Sequence, residues 1–307
     1  METAPINPDY RSGIVAIVGR ANVGKSTLIN RILGEKVSIT SPVAQTTRNA
    51  IRAIHTEERG QLVFLDTPGV HKAKHDLGKV MNKTARSATE GADVCLLVLD
   101  STRVPREEDD GWMRRLAKSP SELVFVLNKQ DSSDEKKDMR FFDLWTEIAE
   151  ESACERSPKW LKISAETGKG INRLTTALFE RVALGPPLFD DDLLTDFPRQ
   201  LAISDVIREK LFYVLKDELP HAIAVNVTKL EESDKEWKVE ATILVNRSSQ
   251  KGIVIGEKGR LLKRITQSAQ KELSTMFDIR VRLRLWVKVE KNWAQNVSTL
   301  KQLGYIQ

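Results

Sequence analysis

Gly19-Arg20-Ala21-Asn22-Val23-Gly24-Lys25-Ser26-Thr27 closes one apolar run, Ile14–Gly19, and opens an amphipathic one, Lys25–Leu33. Two glycines separated by four residues, with Lys and Ser directly after the second, make the pattern of a loop that wraps phosphate, and the pattern carries weight only between a strand and a helix. Both flanks have that character here. The glycines let backbone approach an anion closely, successive N–H groups face it at a helix N-terminus, Lys25 reaches the terminal phosphates and the Ser26 hydroxyl binds a divalent metal.

Three further segments follow apolar runs, and one bridges them. Asp66-Thr67-Pro68-Gly69-Val70 ends the run Gln61–Asp66, so the Asp66 carboxylate is expected at a strand's carboxyl edge on the metal side, with the Gly69 N–H sensing the last phosphate. Asn128-Lys129-Gln130-Asp131 ends Leu123–Asn128. A carboxylate at Asp131 can accept from N1–H and the 2-amino group of guanine, a donor pair adenine lacks; Lys129 would lie over the purine and Asn128 tie the loop. Ser164-Ala165-Glu166 would bring the Ala165 N–H to the guanine oxygen. Gln45-Thr46-Thr47-Arg48 reads as a mobile switch, with Thr47 rather than Thr46 as metal ligand. The expected catalytic set is Lys25, Thr47, Asp66 and Gly69, and the expected metal ligands are Ser26, Thr47 and Asp66.

Apolar runs of strand length alternate with amphipathic stretches from Gly13 to Val182, which argues for a mainly parallel sheet with helices on both faces. Strands are expected at Ile14–Gly19, Ile51–Thr56, Gln61–Asp66, Val94–Asp100, Leu123–Asn128 and Lys162–Ser164, and helices at Lys25–Leu33, Asp109–Leu116, Arg140–Glu151 and Ile171–Arg181. Gly185-Pro186-Pro187 with Asp190-Asp191-Asp192 marks a linker. The expected division is a phosphate-loop domain over 1–184, a linker over 185–199 and a smaller α+β domain over 200–307. That last part reads as helix Gln200–Leu215, strands Ala222–Leu230 and Trp237–Asn246, a glycine-containing turn, helix Arg260–Met276, strand Arg280–Glu290 and a final helix.

Of the 307 residues, 30% are charged and 40% hydrophobic, the balance of a packed protein rather than a disordered one. No apolar run approaches the ~18 residues of a membrane span, and the N-terminus has no signal core, so cytoplasmic residence is expected. Cys95 and Cys154 lack metal-site spacing and are expected as thiols; His55, His71, His75 and His221 are scattered and given no role. Residues 200–307 hold 19 basic and 13 acidic side chains, and 247–291 hold 12 against 4, the footprint of a surface that meets phosphate.

The order and identity of these motifs resemble the Era family of GTPases, and the likeness continues through Leu193-Leu194-Thr195-Asp196, Ile207-Arg208-Glu209-Lys210, Glu218-Leu219-Pro220, Trp286-Val287-Lys288-Val289 and Leu303-Gly304-Tyr305. The resemblance implies a P-loop GTPase domain followed by a type II KH domain. It also implies binding to the 3′ end of small-subunit ribosomal RNA and a role in small-subunit assembly; the divalent metal read from Ser26 is expected to be Mg²⁺. Gly256-Glu257-Lys258-Gly259 would be the loop that clamps about four single-stranded nucleotides, helped by Lys251, Gly252, Ile255, Arg260, Lys263 and Arg264. Glu257 departs from the small or basic residues usual there. Arg280, Arg282 and Arg284 alternate with apolar residues and read as an exposed strand face.

Val70 stands where many small GTPases place the Gln that orients water, so slow basal hydrolysis raised by a partner or an ion is expected. Asn22 is the candidate to hold K⁺ beside the phosphates. A monomer is expected, with weak peripheral contact to anionic membrane left open. A tRNA-modification GTPase, a membrane-peripheral regulatory GTPase, and an RNA-binding module with a decayed nucleotide site are the alternatives.

Overall fold

Val94-Cys95-Leu96-Leu97-Val98-Leu99 is apolar at every position, and a strand of that kind must be covered on both faces. It is. The computed structural model describes residues 8–41, 46–69, 76–133, 135–215 and 219–306, and the chain divides into two units. The first takes in Met1–Ser38, Thr47–Lys72 and Met81–Asp196; the second takes in Ile39–Thr46, Ala73–Val80 and Phe197–Gln307.

In chain order residues 8–196 run β1 (Arg11–Val18), α1 (Lys25–Leu33), β2 (Ile51–Glu57), β3 (Gly60–Asp66), α2 (Asp76–Ser87), β4 (Val94–Asp100), α3 (Glu107–Ala117), β5 (Glu122–Asn128), α4 (Glu135–Glu151), β6 (Lys159–Lys162) and α5 (Ile171–Phe179); all belong to the first unit except the start of α2, which joins it at Met81. The sheet order is β2-β3-β1-β4-β5-β6, parallel except for the antiparallel pairing of β2 with β3. Because side chains alternate across a strand, Val94, Leu96 and Val98 join Leu28, Ile29, Leu174 and Leu178 on the α1 and α5 side. Cys95, Leu97 and Leu99 join Trp112, Met113, Phe141 and Ile148 on the α3 and α4 side. Both cysteines are free, Cys95 fully buried.

Helix α2 was not expected from sequence. Its buried stripe is only Leu77, Met81 and Ala85 among polar neighbours, too narrow to stand out. The last strand ends at Lys162 instead of running Lys162–Ser164, since Ile163 makes its bond to the Leu127 carbonyl as the chain leaves the sheet.

The segment read as a linker is bound to the first unit along most of its length. Gln61, fully buried, accepts from the Leu188 and Phe189 N–H groups at 2.8 and 2.9 Å and donates to the Phe189 carbonyl at 2.9 Å. Ile54 N–H donates to the Leu194 carbonyl, Thr195 Oγ1 to the Arg52 carbonyl, and Arg52 pairs with Asp196 at 2.6 Å. The change of unit falls after Asp196.

The second unit contains α6 (Arg199–Val214), β7 (Ile223–Glu231), β8 (Glu236–Val245), α7 (Ser248–Ile255), α8 (Arg260–Met276), β9 (Arg280–Val289) and α9 (Val297–Gln302). The sheet order is β7-β8-β9, antiparallel then parallel. Ile203, Ile207, Leu211, Ile243, Ile265, Leu273 and Leu283 build its core, and Ile39 belongs to it. Near Ile39, Glu209 Oε1 accepts from the Thr40 N–H at 3.0 Å, and the buried Arg208 donates to the Thr46 carbonyl and pairs with Asp205 at 2.8 Å. Helix α7 replaces the turn expected there; Gly252 in its middle lowers helix propensity and hid it.

One buried ion pair ties the end of β1 to α3. Asp109 accepts from the Arg106 N–H at 3.0 Å and faces Arg20 Nε at 3.2 Å, with both side chains nearly or fully buried. Burial pushes the Asp109 carboxyl up to about 6 from an ordinary 3.8 in spite of the Arg20 charge. Between about pH 4 and 6 the native state therefore keeps a proton that the unfolded chain releases, and stability falls as pH rises through that window. Urea unfolding of the parent and of Asp109→Asn across pH 4–7 should show the variant gaining on the parent by about 2–3 kcal/mol between pH 4 and 6. A gap that stays constant with pH means that Asp109 ionises as it would in water.

Candidate functional site

The loop after β1 turns through backbone angles that few side chains tolerate. Gly19 has φ 143°, Asn22 63° and Gly24 100°. A Cβ on Gly24 would stand 2.4 Å from Asn128 Nδ2, and one on Gly19 would stand 2.5 Å from the Val98 carbonyl oxygen, so both positions exclude larger residues. The turn folds the loop carbonyls inward, and Lys25 Nζ donates to those of Gly19 and Arg20 at 3.0 Å each. Lys25 is 7% exposed; burial lowers its pKa to about 8 against the opposing pull of Asp66. Burial likewise raises the Asp66 carboxyl, opposed by Lys25, Ser38 and Ser26.

The three expected metal ligands meet. Ser26 Oγ lies 3.0 Å from Asp66 Oδ2 and 3.1 Å from Thr47 Oγ1. Thr47 rather than Thr46 faces this cluster, while the Thr46 carbonyl belongs to the second unit's contact with Arg208. Asp66 Oδ1 is buried without a hydrogen-bond partner among the described residues. One carboxylate and two hydroxyls, with an oxygen lone pair unused, fit Mg²⁺, which takes hard oxygen ligands and retains room for phosphate oxygens. Ser38 was not expected here; its Oγ donates to Asp66 Oδ2 at 2.8 Å, and an isolated serine outside any motif gives no sequence signal.

Thr67 Oγ1 donates to the Ile17 carbonyl at 2.8 Å and holds the next turn against β1, with Pro68 between it and Gly69. A Cβ on Gly69 would meet Ala21 Cα at 2.7 Å, so the two phosphate-side loops touch backbone to backbone. Val70, Gln45, His71, His75 and Glu218 lie outside the described residues.

On the base side, Asn128 Nδ2 donates to the Val23 carbonyl at 2.8 Å, as the tying role requires. Lys129, at φ 66°, stretches its ammonium to the Asn22 carbonyl at 2.9 Å and to Asp100 Oδ2 at 3.0 Å. The same Asp100 oxygen is 3.7 Å from Arg20, so one carboxylate joins the base loop to the phosphate loop. Although burial opposes it, hydrogen bonds from Thr102 and Lys129 hold the Asp100 carboxyl below its usual range. The Asp131 carboxylate is exposed to solvent and accepts from the Ser164 and Ser132 hydroxyls; the Ser164 bond is the main cause of its lowered pKa.

Two expectations change. The Ala165 N–H donates to Asn128 Oδ1 at 2.9 Å, so it braces the loops against each other where it was expected to face only the base. Gln130 turns away, donating to Ser101 Oγ at 2.8 Å and reaching Asp138 at 3.2 Å. Arg31, absent from the sequence reading, donates to the Ala165 carbonyl at 3.1 Å and to the Glu166 carbonyl.

In the second unit, Gly256 (φ 72°), Lys258 (φ 48°) and Gly259 (φ 77°) make a sharp loop between α7 and α8. A Cβ on Gly256 would stand 2.6 Å from that of Leu261. Gly252, Glu257, Lys258, Arg260, Lys263 and Arg264 are exposed, and Lys251 and Ile255 partly so. Glu257 lies 3.6 Å from Arg260, an exposed pair that leaves the surrounding lysines and arginines in excess.

Residues 14–129 match the family described as 50S ribosome-binding GTPase, and residues 218–294 match the KH domain family. The chain is 42% identical to GTPase Era of Crocosphaera subtropica over 99% of its own length and 96% of that protein. It is 41% identical to GTPase Era of Geotalea uraniireducens over 96% and 98%. Among solved structures, an Era variant from Aquifex aeolicus bound to GDP and aluminium fluoride superposes with a TM-score of 0.88 at 34% identity, covering 97% of this chain and all of that one. An Era in complex with MgGDPNP and nucleotides 1506–1542 of 16S ribosomal RNA superposes with a TM-score of 0.89 at the same identity and coverage. Similarity of this degree, sustained across both units and across almost the whole of each relative, makes the chain a member of the GTPase Era family of GTP hydrolases.

Proposed function

We propose that this chain hydrolyses GTP in the pocket between Lys25 and Asp131 and binds single-stranded small-subunit ribosomal RNA near its 3′ end through the Gly256–Gly259 loop, as a nucleotide-switched factor in small-subunit assembly. The convergence of Lys25, Ser26, Thr47 and Asp66 supports the first half most directly. The Era bound to 16S ribosomal RNA, together with the basic loop described above, supports the second.

Phosphoryl transfer asks the protein for position and charge more than for covalent chemistry. Lys25 brings a cation whose carbonyl partners already fix its direction, so little reorganisation remains when phosphate binds. Ser26, Thr47 and Asp66 would hold Mg²⁺, which when bound supplies charge neutralisation on the phosphate oxygens. Asp131 reads the base with two charge-assisted acceptors, and Ser164 fixes its rotamer. Val70 offers no hydrogen bond to an attacking water, so slow basal turnover and stimulation by K⁺ over Na⁺ belong to the same reading. Asn22 supplies the nearest side-chain amide in the phosphate loop. A monomeric, cytoplasmic state with a peripheral membrane fraction completes the reading; no described helix is long and apolar enough to cross a membrane.

Asp131→Asn should lose roughly 10- to 100-fold in GTP affinity, the worth of charged hydrogen bonds, and gain affinity for xanthosine triphosphate. Competition between the two nucleotides checks it; unchanged preference removes Asp131 from base reading.

Replacing Lys258 and Lys263 by Ala should flatten the slope of log affinity against log salt by roughly 0.7 per lost phosphate contact. Turnover should stay at the parent's rate, and an unaltered slope means that neither lysine touches phosphate. RNA crosslinked in cells should map to the 3′ end of the small-subunit RNA.

Turnover in matched KCl and NaCl, for the parent and Asn22→Ala, tests the cation. A parent that is faster in KCl, with the difference reduced in the variant, is expected; equal parental rates return the role to a macromolecular activator.

A further inference from the structure

The second unit's sheet has an outer face that neither the nucleotide pocket nor the Gly256 loop uses. In β9, Val281, Leu283, Leu285, Val287 and Val289 point into the core beneath α6 and α8, so Arg280, Arg282, Arg284, Trp286 and Lys288 stand on the opposite side. Trp286 is 46% exposed, in a strand whose other face is sealed. A large aromatic left open in this way marks a contact surface more often than a packing accident.

Its surroundings say what kind of contact. Strand pairing sets Asn226 and Thr242 in the same cross-strand row as Trp286. Arg284 and Lys288 lie two residues away along β9, ~7 Å on either side. The indole therefore stands beside the Thr242 hydroxyl and between two cations, with Glu240 and Leu244 on the diagonals and the Asn226 amide one strand further. The nearby carboxylates do not neutralise this face. Glu236 is shared by Arg280 at 3.2 Å and Arg282 at 2.5 Å, Glu240 is 3.8 Å from Arg284, and Glu290 is 2.9 Å from Lys288. Arg284 and Lys288 have side chains 76% and 65% exposed, and ion pairs so open to water yield readily to phosphate. An exposed indole beside solvent-exposed cations is the chemistry that stacks a base of any sequence while holding its backbone.

Position supports the same occupant. Strand β9 is the edge of the sheet, and α7, which leads directly into the Gly256 loop, packs against it.

We propose that Trp286, flanked by Arg284 and Lys288, is a second contact for single-stranded RNA, stacking a base beyond those held by the Gly256–Gly259 loop. The proposal rests on the RNA-binding reading above and extends it from about four nucleotides to a longer footprint. Asn226 and Thr242 give the stacked base an amide and a hydroxyl to meet at its edge, which favours some bases over others without excluding any.

The experiment uses the full chain and two fluorescent single-stranded RNAs, of four and twelve nucleotides, read by anisotropy. Trp286→Ala should bind the twelve-nucleotide RNA roughly tenfold more weakly, within the range for loss of one stacked base, and bind the four-nucleotide RNA as the parent does. Trp286→Phe should restore most of the loss. Arg284→Ala with Lys288→Ala should lower the salt slope for the longer RNA only. GTP turnover at the parental rate in each variant reports an intact fold.

Parental affinity of Trp286→Ala for the longer RNA overturns the proposal, and so does equal weakening of both lengths, which would make Trp286 a support of the loop. The Lys258 and Lys263 double variant separates the two readings. If it leaves both RNAs unaffected while Trp286→Ala weakens the longer one, the loop assignment fails and the outer face stands. A parent that binds neither RNA sinks both.

Discussion

Lys25 must carry its charge into a place closed to bulk water, and the pocket is arranged around that demand. An ammonium group taken out of water loses several kcal/mol of solvation unless polar atoms replace it. Here the replacements are two carbonyls of its own loop, and carbonyls can point inward only if the backbone visits the left-handed region at Asn22 and uses glycine at 19 and 24. The absent Cβ of Gly24 is then what lets Asn128 reach the Val23 carbonyl, and Asn128 in turn holds Ala165. One desolvated cation thus dictates the loop's shape, and the shape dictates where three other loops sit.

The depressed pKa of Lys25 and the raised pKa of Asp66 describe the same tension from two sides, since burial works against both charges and each relieves the other. Arg20 and Asp100 spread the arrangement outward. Arg20 contributes its carbonyl to Lys25 and its guanidinium to Asp109 and Asp100, while Asp100 also holds Lys129. Phosphate-binding and base-reading loops therefore share a continuous set of charged contacts. The Cβ-free meeting of Gly69 with Ala21 adds a purely steric link on the other side.

What could be read from sequence were the features whose chemistry is local. Gly19 through Ser26, Asp66, and Asn128 with Asp131 each combine a residue type with a strand end, and the structure brings them together as that pattern implies. Ser38, Asp100 and Asp109 were not legible, because each acts through a neighbour far away in the chain and none belongs to a pattern of its own. Helices α2 and α7 escaped for energetic reasons: the first buries a three-residue stripe, and the second carries a glycine that propensity counts against it. The Gly-Pro-Pro and Asp-Asp-Asp composition correctly indicated chain without regular structure, yet hydrogen bonds from Gln61 hold much of it in place, which composition cannot express.

Ile39 sits in the core of the second unit, among residues from Ile203 to Val287, although Ser38 just before it contacts Asp66 in the first. During synthesis Ile39 leaves the ribosome long before any of those partners exists, with most of the first unit still to be made. The second core cannot close by local pairing alone: it has to wait for its own sequence and then recover a side chain surrendered early. Contacts of such long sequence separation slow folding, and they leave an isoleucine uncovered in the interim. A nascent chain of this protein would therefore carry Ile39 uncovered, next to the Ser38 that already contacts Asp66, until the last third of the chain emerges.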